Sequence, residues 1–180
     1  MSVPYSHRDL KVSNVKISFR LKEKINFNLH NDNYLLYDHK TLKICKFDQY
    51  TATFMGKNHT FVNITGLKSF CDIIRSKQLF CDEFHIRLSK LYNVKIDMIS
   101  GVFNIPKFSL HNILEKLSRH SYKITKFSHF CGVKVVLNKS TFMLFNSGKG
   151  TSLGAKNEIS FRTAHQKIMN TINCMCNKCM

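Results

Sequence analysis

Polar and apolar residues alternate from Val12 to Leu21, with Val15, Ile17, Phe19 and Leu21 set against Ser18 and Arg20. That is the period of a half-buried strand. Residues 22–38 are rich in Asn and Asp and lack a clear helical stripe. Thr41–Phe47 reads as a strand, followed by a hairpin over Thr51–Thr65. After Gly66, apolar residues from Phe70 to Leu88 recur at three- and four-residue spacing, which predicts a long amphipathic helix. The order then repeats. Lys95–Phe103 alternates as a strand, Pro106 stops it, and Ser109 is placed to cap a helix carrying Leu110, Ile113, Leu114 and Leu117. Tyr122–Ser128 and Val133–Leu137 read as strands, Thr141–Gly154 as a second hairpin, and Glu158–Ile172 as a closing helix with Phe161, Ala164, Ile168 and Ile172 inward.

Two copies of one unit follow from this order, and a duplication has to be settled before any motif is weighed. Pairing Ile17 with Ile96 and Gly66 with Gly154 aligns them, with a shortened connection after the first strand of copy one. Each copy offers an antiparallel sheet with helices on one face, an α+β arrangement that leaves the other face free. The expected division is a basic arm over 1–11, repeat one over 12–90, repeat two over 91–172 and a cysteine-rich tail over 173–180. In the second hairpin Phe142 and Leu144 share one side of the strand, so Phe145 falls on the other, beside the turn Asn146-Ser147-Gly148.

Charge narrows the partner. Lys and Arg number 28 against 11 Asp and Glu, a net charge of +17. A folded chain with that excess repels itself unless it meets a polyanion, which puts nucleic acid first; lysine bias in the source is the bland explanation. No apolar run approaches the length of about 20 residues needed to span a bilayer, and residues 1–14 have no apolar core of a signal peptide. Seven cysteines, four of them scattered singly, suit reduced thiols.

The strands and hairpins carry a resemblance. Phe145-Asn-Ser-Gly148-Lys149, then Gly154-Ala155-Lys156 before an acidic helix start, and Phe130-Cys-Gly132 one strand earlier, resemble the second repeat of TATA-binding proteins. Thr65-Gly66-Leu67-Lys68 keeps the tail of the same motif in repeat one. The resemblance, over about residues 12–172, implies two pseudo-repeats forming a curved antiparallel β-sheet saddle with helices on the convex face. It further implies that the concave face lies in the minor groove of AT-rich double-stranded DNA and bends it with phenylalanine wedges, a mechanism for which this family is the standard example. By position the wedges are Phe130 and Phe145 in repeat two and Phe54 in repeat one, whose partner position falls near His39. The minor-groove face would comprise Ser18, Arg20, Asn63 and Thr65 in one copy and Asp97, Ile99, Thr151 and Leu153 in the other. Lys57, Lys68, Lys149 and Lys156 would reach phosphates. The family's central asparagines would correspond to Ser18 and Asp97, and its acidic loop for transcription factor IIB to Phe127-Ser128-His129. An ionised Asp97 has no donor for minor-groove acceptors.

The implied role is a monomeric transcription initiation factor of the nucleus, or of a viral transcription site, meeting general transcription factors or RNA polymerase subunits. The rival is an adaptor whose saddle holds protein and never DNA. No cofactor is expected and no catalytic constellation stands out, so the chain is read as a non-enzyme. Gly148-Lys149 is no phosphate loop, because Gly150 follows where Ser or Thr is needed. Cys174, Cys176 and Cys179 have soft-metal spacing but only three thiolates; His165 is the candidate fourth ligand, and a frayed end is the bland alternative. The nine histidines show no H-x-x-x-H or similar metal spacing and are expected at the surface.

Overall fold

The computed structural model describes residues 10–25, 27, 35–106, 110–120, 122–126 and 131–173. Contacts divide the chain into two units, Ser13–Met98 and Ile99–Met180, the latter with Met1–Val12.

In the first unit β1 (Lys11–Leu21), β2 (Leu35–His39), β3 (Leu42–Lys46), β4 (Thr51–Met55) and β5 (Phe61–Leu67) form antiparallel pairs in the order β2-β3-β4-β5-β1. Helix α1 (Cys71–Glu83) covers one face. Its Phe80 ring meets Phe19 of β1 edge-on at 5.1 Å and lies 5.8 Å from Phe54 of β4. Phe27 and Phe84 close the cluster, at 4.9 and 5.2 Å from Phe54. Such ring pairs contribute about 0.5–1.5 kcal/mol each beyond the area they bury. The register puts Val15, Ile17 and Phe19 with Val62, Ile64, Ala52 and Phe54 on this helix-bearing side.

α1 is shorter than the apolar spacing predicts. His85 adopts a left-handed φ of 51°, and the Ile86 and His85 amides donate to the carbonyls of Cys81 and Asp82, a Schellman end that satisfies the last carbonyls. At the other end the Lys68 and Ser69 amides donate to the Asp72 carboxylate at 2.9 and 2.8 Å, and the Asp72 amide donates to the Ser69 hydroxyl. This reciprocal cap satisfies donors that the helix itself cannot. β2, at the end of the Asn- and Asp-rich stretch that lacks a helical stripe, is a short strand paired to β3.

In the second unit the end of β6 (Leu91–Asn104, of which residues 91–98 belong to the first unit), β7 (Lys123–Lys126), β8 (Gly132–Leu137), β9 (Ser140–Phe145) and β10 (Lys149–Ala155) run in the order β6-β10-β9-β8-β7. Helices α2 (Leu110–Ser118) and α3 (Glu158–Asn173) pack together, α2 also on β7 and β8 and α3 on β10. Asn157 caps α3 by accepting the Ser160 amide at 2.7 Å. Phe161, Ala164, Ile168 and Ile172 are buried, as their spacing predicts, and so is His165, whose ring meets Phe103 edge-on at 4.7 Å. His165 is therefore a core residue with no exposed surface, which corrects its reading as a surface histidine. Cys174, Cys176 and Cys179 lie outside the described residues.

The thiols divide by depth. Cys45 and Cys81 are buried, Cys71 and Cys131 exposed. Burial pushes the Cys45 thiol up to about 11 and raises that of Cys81 as well. The thiolate is the nucleophile, and a pKa near that leaves roughly one Cys45 in a thousand ionised at pH 8. Iodoacetamide at pH 8, followed by peptide mapping, is expected to label Cys71 and Cys131 promptly and Cys45 and Cys81 only after denaturant. Labelling of all four at one rate would contradict the packing of α1 on its sheet.

Candidate nucleic-acid interface

The side of each sheet away from the helices is open. In the second unit the cross-strand partners Thr151 and Val102, Leu153 and Ser100, and Thr151 and Met143 share this side, with Phe145 at the end of β9. Val102 and Leu153 are 42% and 38% exposed, and Thr151, Met143 and Phe145 are half-buried. Lys134 and Lys123 continue the face across β8 and β7 through their pairing with Met143 and Val136. At the other end the Lys149 ammonium donates to the Asn104 side chain at 3.0 Å, held on the rim of the face. The result is an apolar floor bordered by ammonium groups.

The first unit has the same plan in more polar residues. Ser18 pairs with Asn63, Arg20 with Phe61, Thr53 with Asn63, and Met55 with Phe61. The Arg20 guanidinium sits 5.5 Å over the Phe61 ring, a cation–π contact on the open side. Tyr37 stacks with His39 at the outer strand. The Lys68 ammonium donates to the Ser13 carbonyl at 3.0 Å, and Lys57 is exposed on the hairpin between β4 and β5. Lys156 is exposed just after β10.

Two glycines give a common origin for comparing the units. Gly66 and Gly154 both have strongly positive φ, 96° and 101°, and both lie where the last strand bulges against its partner. Only glycine adopts that backbone without strain, so the bulges are equivalent points. Counting from them, Thr65 matches Leu153, Asn63 matches Thr151, Thr53 matches Met143, and Ser18 matches Val102. Ile17 thus corresponds to Gly101, not to Ile96.

This register corrects three expected site residues. Phe54 has no exposed surface and lies in the aromatic cluster under α1, so it is no wedge; Met55, next along and on the open side, stands where Phe145 stands in the other unit. Ile99 is fully buried, on the side of Phe103 and opposite to Val102. Asp97 follows the same alternation to the helix-bearing side, where Lys95 pairs with it at 3.6 Å. By the same count Val102, the counterpart of Ser18, takes the place assigned to Asp97, and Asn104, the counterpart of Arg20, the place assigned to Ile99. By contrast Ser18, Arg20, Asn63 and Thr65 do share the open side, as do Thr151 and Leu153, although Ser18 is fully buried at its floor. Phe130, and the loop Phe127-Ser128-His129, lie outside the described residues.

The electrostatics of the two open faces are one-sided. The strand carboxylates among the described residues are Asp38 and Asp97, and both are turned to the other side; Asp38 is drawn there by its ion pair with Lys43, which faces Phe54. Lys16, Arg20, Lys46, Lys123, Lys134 and Lys149 stay on or beside the open faces. No group of His, Cys, Asp and Glu among the described residues could hold a metal.

No protein-family model matches the sequence, and no curated protein is significantly similar to it. Among solved structures the chain is similar to that of Methanococcus jannaschii TBP, with a TM-score of 0.68 at 19% identity, over 91% of this chain and 98% of that one. Identity at that level carries the fold alone: this is a TBP-like α+β fold, the fold implied by the hairpin and glycine motifs.

Proposed function

We propose that the two open sheet faces bind double-stranded DNA through the minor groove, preferring AT-rich sequence and bending it, in a factor for transcription initiation. The observation that carries this reading is the one-sided electrostatics: no strand carboxylate among the described residues faces out from either open sheet face, and basic side chains border both. A polyanion with a narrow groove suits such a surface, since phosphates meet the rim while base edges meet the floor. Phe145, beside the β9–β10 turn, is the wedge that parts a base step in one half, and Met55 holds the corresponding place in the other. General transcription factors or polymerase subunits would take the helix-bearing side, and the role is binding, not catalysis. Of the two observations that favour an adaptor, Asp97 is turned away from the open face, while the incomplete wedge pair of the first unit still stands.

Fluorescence anisotropy with AT-rich and GC-rich duplexes at low salt is expected to give tighter binding to the AT-rich one. Failure to bind either would sink the proposal. In the same assay Phe145→Ala is expected to reduce bending, read by end-to-end energy transfer, more than it reduces affinity. A wedge governs the kink while the lysines govern association. Equal losses in both would make Phe145 a packing residue.

A further inference from the structure

Around the middle of the open faces four matched positions differ in one direction, whereas at the rim Ile44 and Phe61 are matched by Lys134 and Lys149. Val102, Thr151, Leu153 and Met143 in one unit are matched by Ser18, Asn63, Thr65 and Thr53 in the other. Within the second set, the Ser18 hydroxyl and the Asn63 side-chain carbonyl are buried with no hydrogen-bond partner, and Asn63 is only 9% exposed. The Asn63 amide nitrogen meets the Met55 sulfur at 3.8 Å, a weak acceptor. Unpaired buried acceptors are costly, about 1–3 kcal/mol each; the Ser140 and Ser152 hydroxyls are unpaired too but lie on the helix-bearing side, so among the described residues such acceptors on the open faces fall in the first unit alone.

The minor groove presents one donor. A·T and T·A pairs show acceptors only, while G·C adds the guanine N2 amino group. Against Val102, Leu153 and Met143 that amino group would lose its water and gain no partner. Against Ser18, Asn63, Thr53 and Thr65 it would meet hydroxyl and amide oxygens. We infer that the two units read different base pairs: the Ile99–Met180 unit demands A·T, and the Ser13–Met98 unit accepts a G·C pair by taking the guanine amino group on Asn63, with the neighbouring hydroxyls. The consequence is polarity, because a site with guanine in one half is bound in one orientation. This inference rests on the minor-groove reading above.

Three duplexes test it at one fixed salt concentration: an A·T core, the same core with one G·C pair in one half, and the core with one G·C pair in each half. The single-G·C duplex is expected to bind within about threefold of the A·T core, since the protein turns to place the guanine under the Ser13–Met98 unit. The doubly substituted duplex should bind about tenfold or more weakly, the usual size of one wrong base contact. Replacing its guanines by inosine, which lacks the N2 amino group, should restore most of that loss. The double variant Ser18→Val, Asn63→Thr copies the other unit and should lower the ratio of single-G·C to A·T affinity about tenfold. A thermal melt of this variant guards against misfolding; removing unpaired acceptors is expected to leave the melting temperature level or raise it. The inference is overturned if one G·C pair weakens binding as much as two, or if the double variant leaves the ratio unchanged. If the A·T core itself does not bind, the minor-groove reading falls, and this inference with it.

Discussion

Phe54→Ala is expected to cost about 3–5 kcal/mol of folding stability, the usual range for emptying a buried phenylalanine site, while Met55→Ala, one residue on, should cost much less. Phe54 has no exposed surface and touches the rings of Phe27, Phe80 and Phe84, so its loss leaves a cavity that these three large side chains, two of them fixed one turn apart at the end of α1, are poorly placed to fill. Met55 is half-buried on the opposite side of the same strand, over the open face. Urea denaturation of the two variants gives the comparison directly, through the shift in midpoint at constant slope. The functional readings should cross over: Met55→Ala is expected to lower DNA bending with little change in stability, and Phe54→Ala to lower stability first. Equal stability for Phe54→Ala and the parent protein would place the ring outside the core and return it to the wedge position.

The second large effect is on salt. Raising monovalent salt from 50 to 200 mM is expected to weaken duplex binding by about a thousandfold or more. Each phosphate neutralised releases counterions and adds about 0.9 to the slope of log affinity against log salt, and six to ten contacts give a loss of that size. Lys57, Lys68, Lys149 and Lys156, with Lys16, Arg20, Lys46, Lys123 and Lys134 around the open faces, are enough cations for that number. Lys149 and Lys68 are held in place by Asn104 and the Ser13 carbonyl, so the cost of ordering them is partly met before DNA arrives. Lys149→Ala and Lys156→Ala should each reduce the slope by about one, with a similar loss on every duplex sequence. A flat salt dependence would mean that the apolar floor, and a protein partner, govern the interface.

Much of the fold was legible from local pattern. β1, the two hairpins, α2 and α3 appear within a residue or two of where alternation and the three-to-four spacing place them, and the repeat was visible in Gly66 and Gly154. The placement of Phe145 was legible for the same reason: Phe142 and Leu144 alternate against it. Applied to Thr51–Met55, the same rule pairs Ala52 with Phe54 and leaves Met55 on the other side. Matching phenylalanine to phenylalanine between the copies hid that signal, and a slip of one residue in a strand reverses its face. β2 was missed because its strand character shows only when β3 pairs with it, and its neighbours in sequence are polar.

Alternation by itself sorts the residues of a strand into two sets, and composition assigns a net charge to the whole chain. Those are local and additive properties, so the sequence determined the repeat, the α+β class, the two hairpins and the basic excess. It did not determine which set of β6 turns outward, because both sets hold apolar residues: Ile99 and Phe103 in one, Val102 in the other. That choice belongs to the helix that covers the strand and to the bulges at Gly66 and Gly154 that set the register, both of which act between residues far apart in the chain. The tertiary structure therefore decided that Ile99, Asp97 and Phe54 face the helices. It also decided that Val102, Met55 and the unpaired acceptors of Ser18 and Asn63 belong to the open faces.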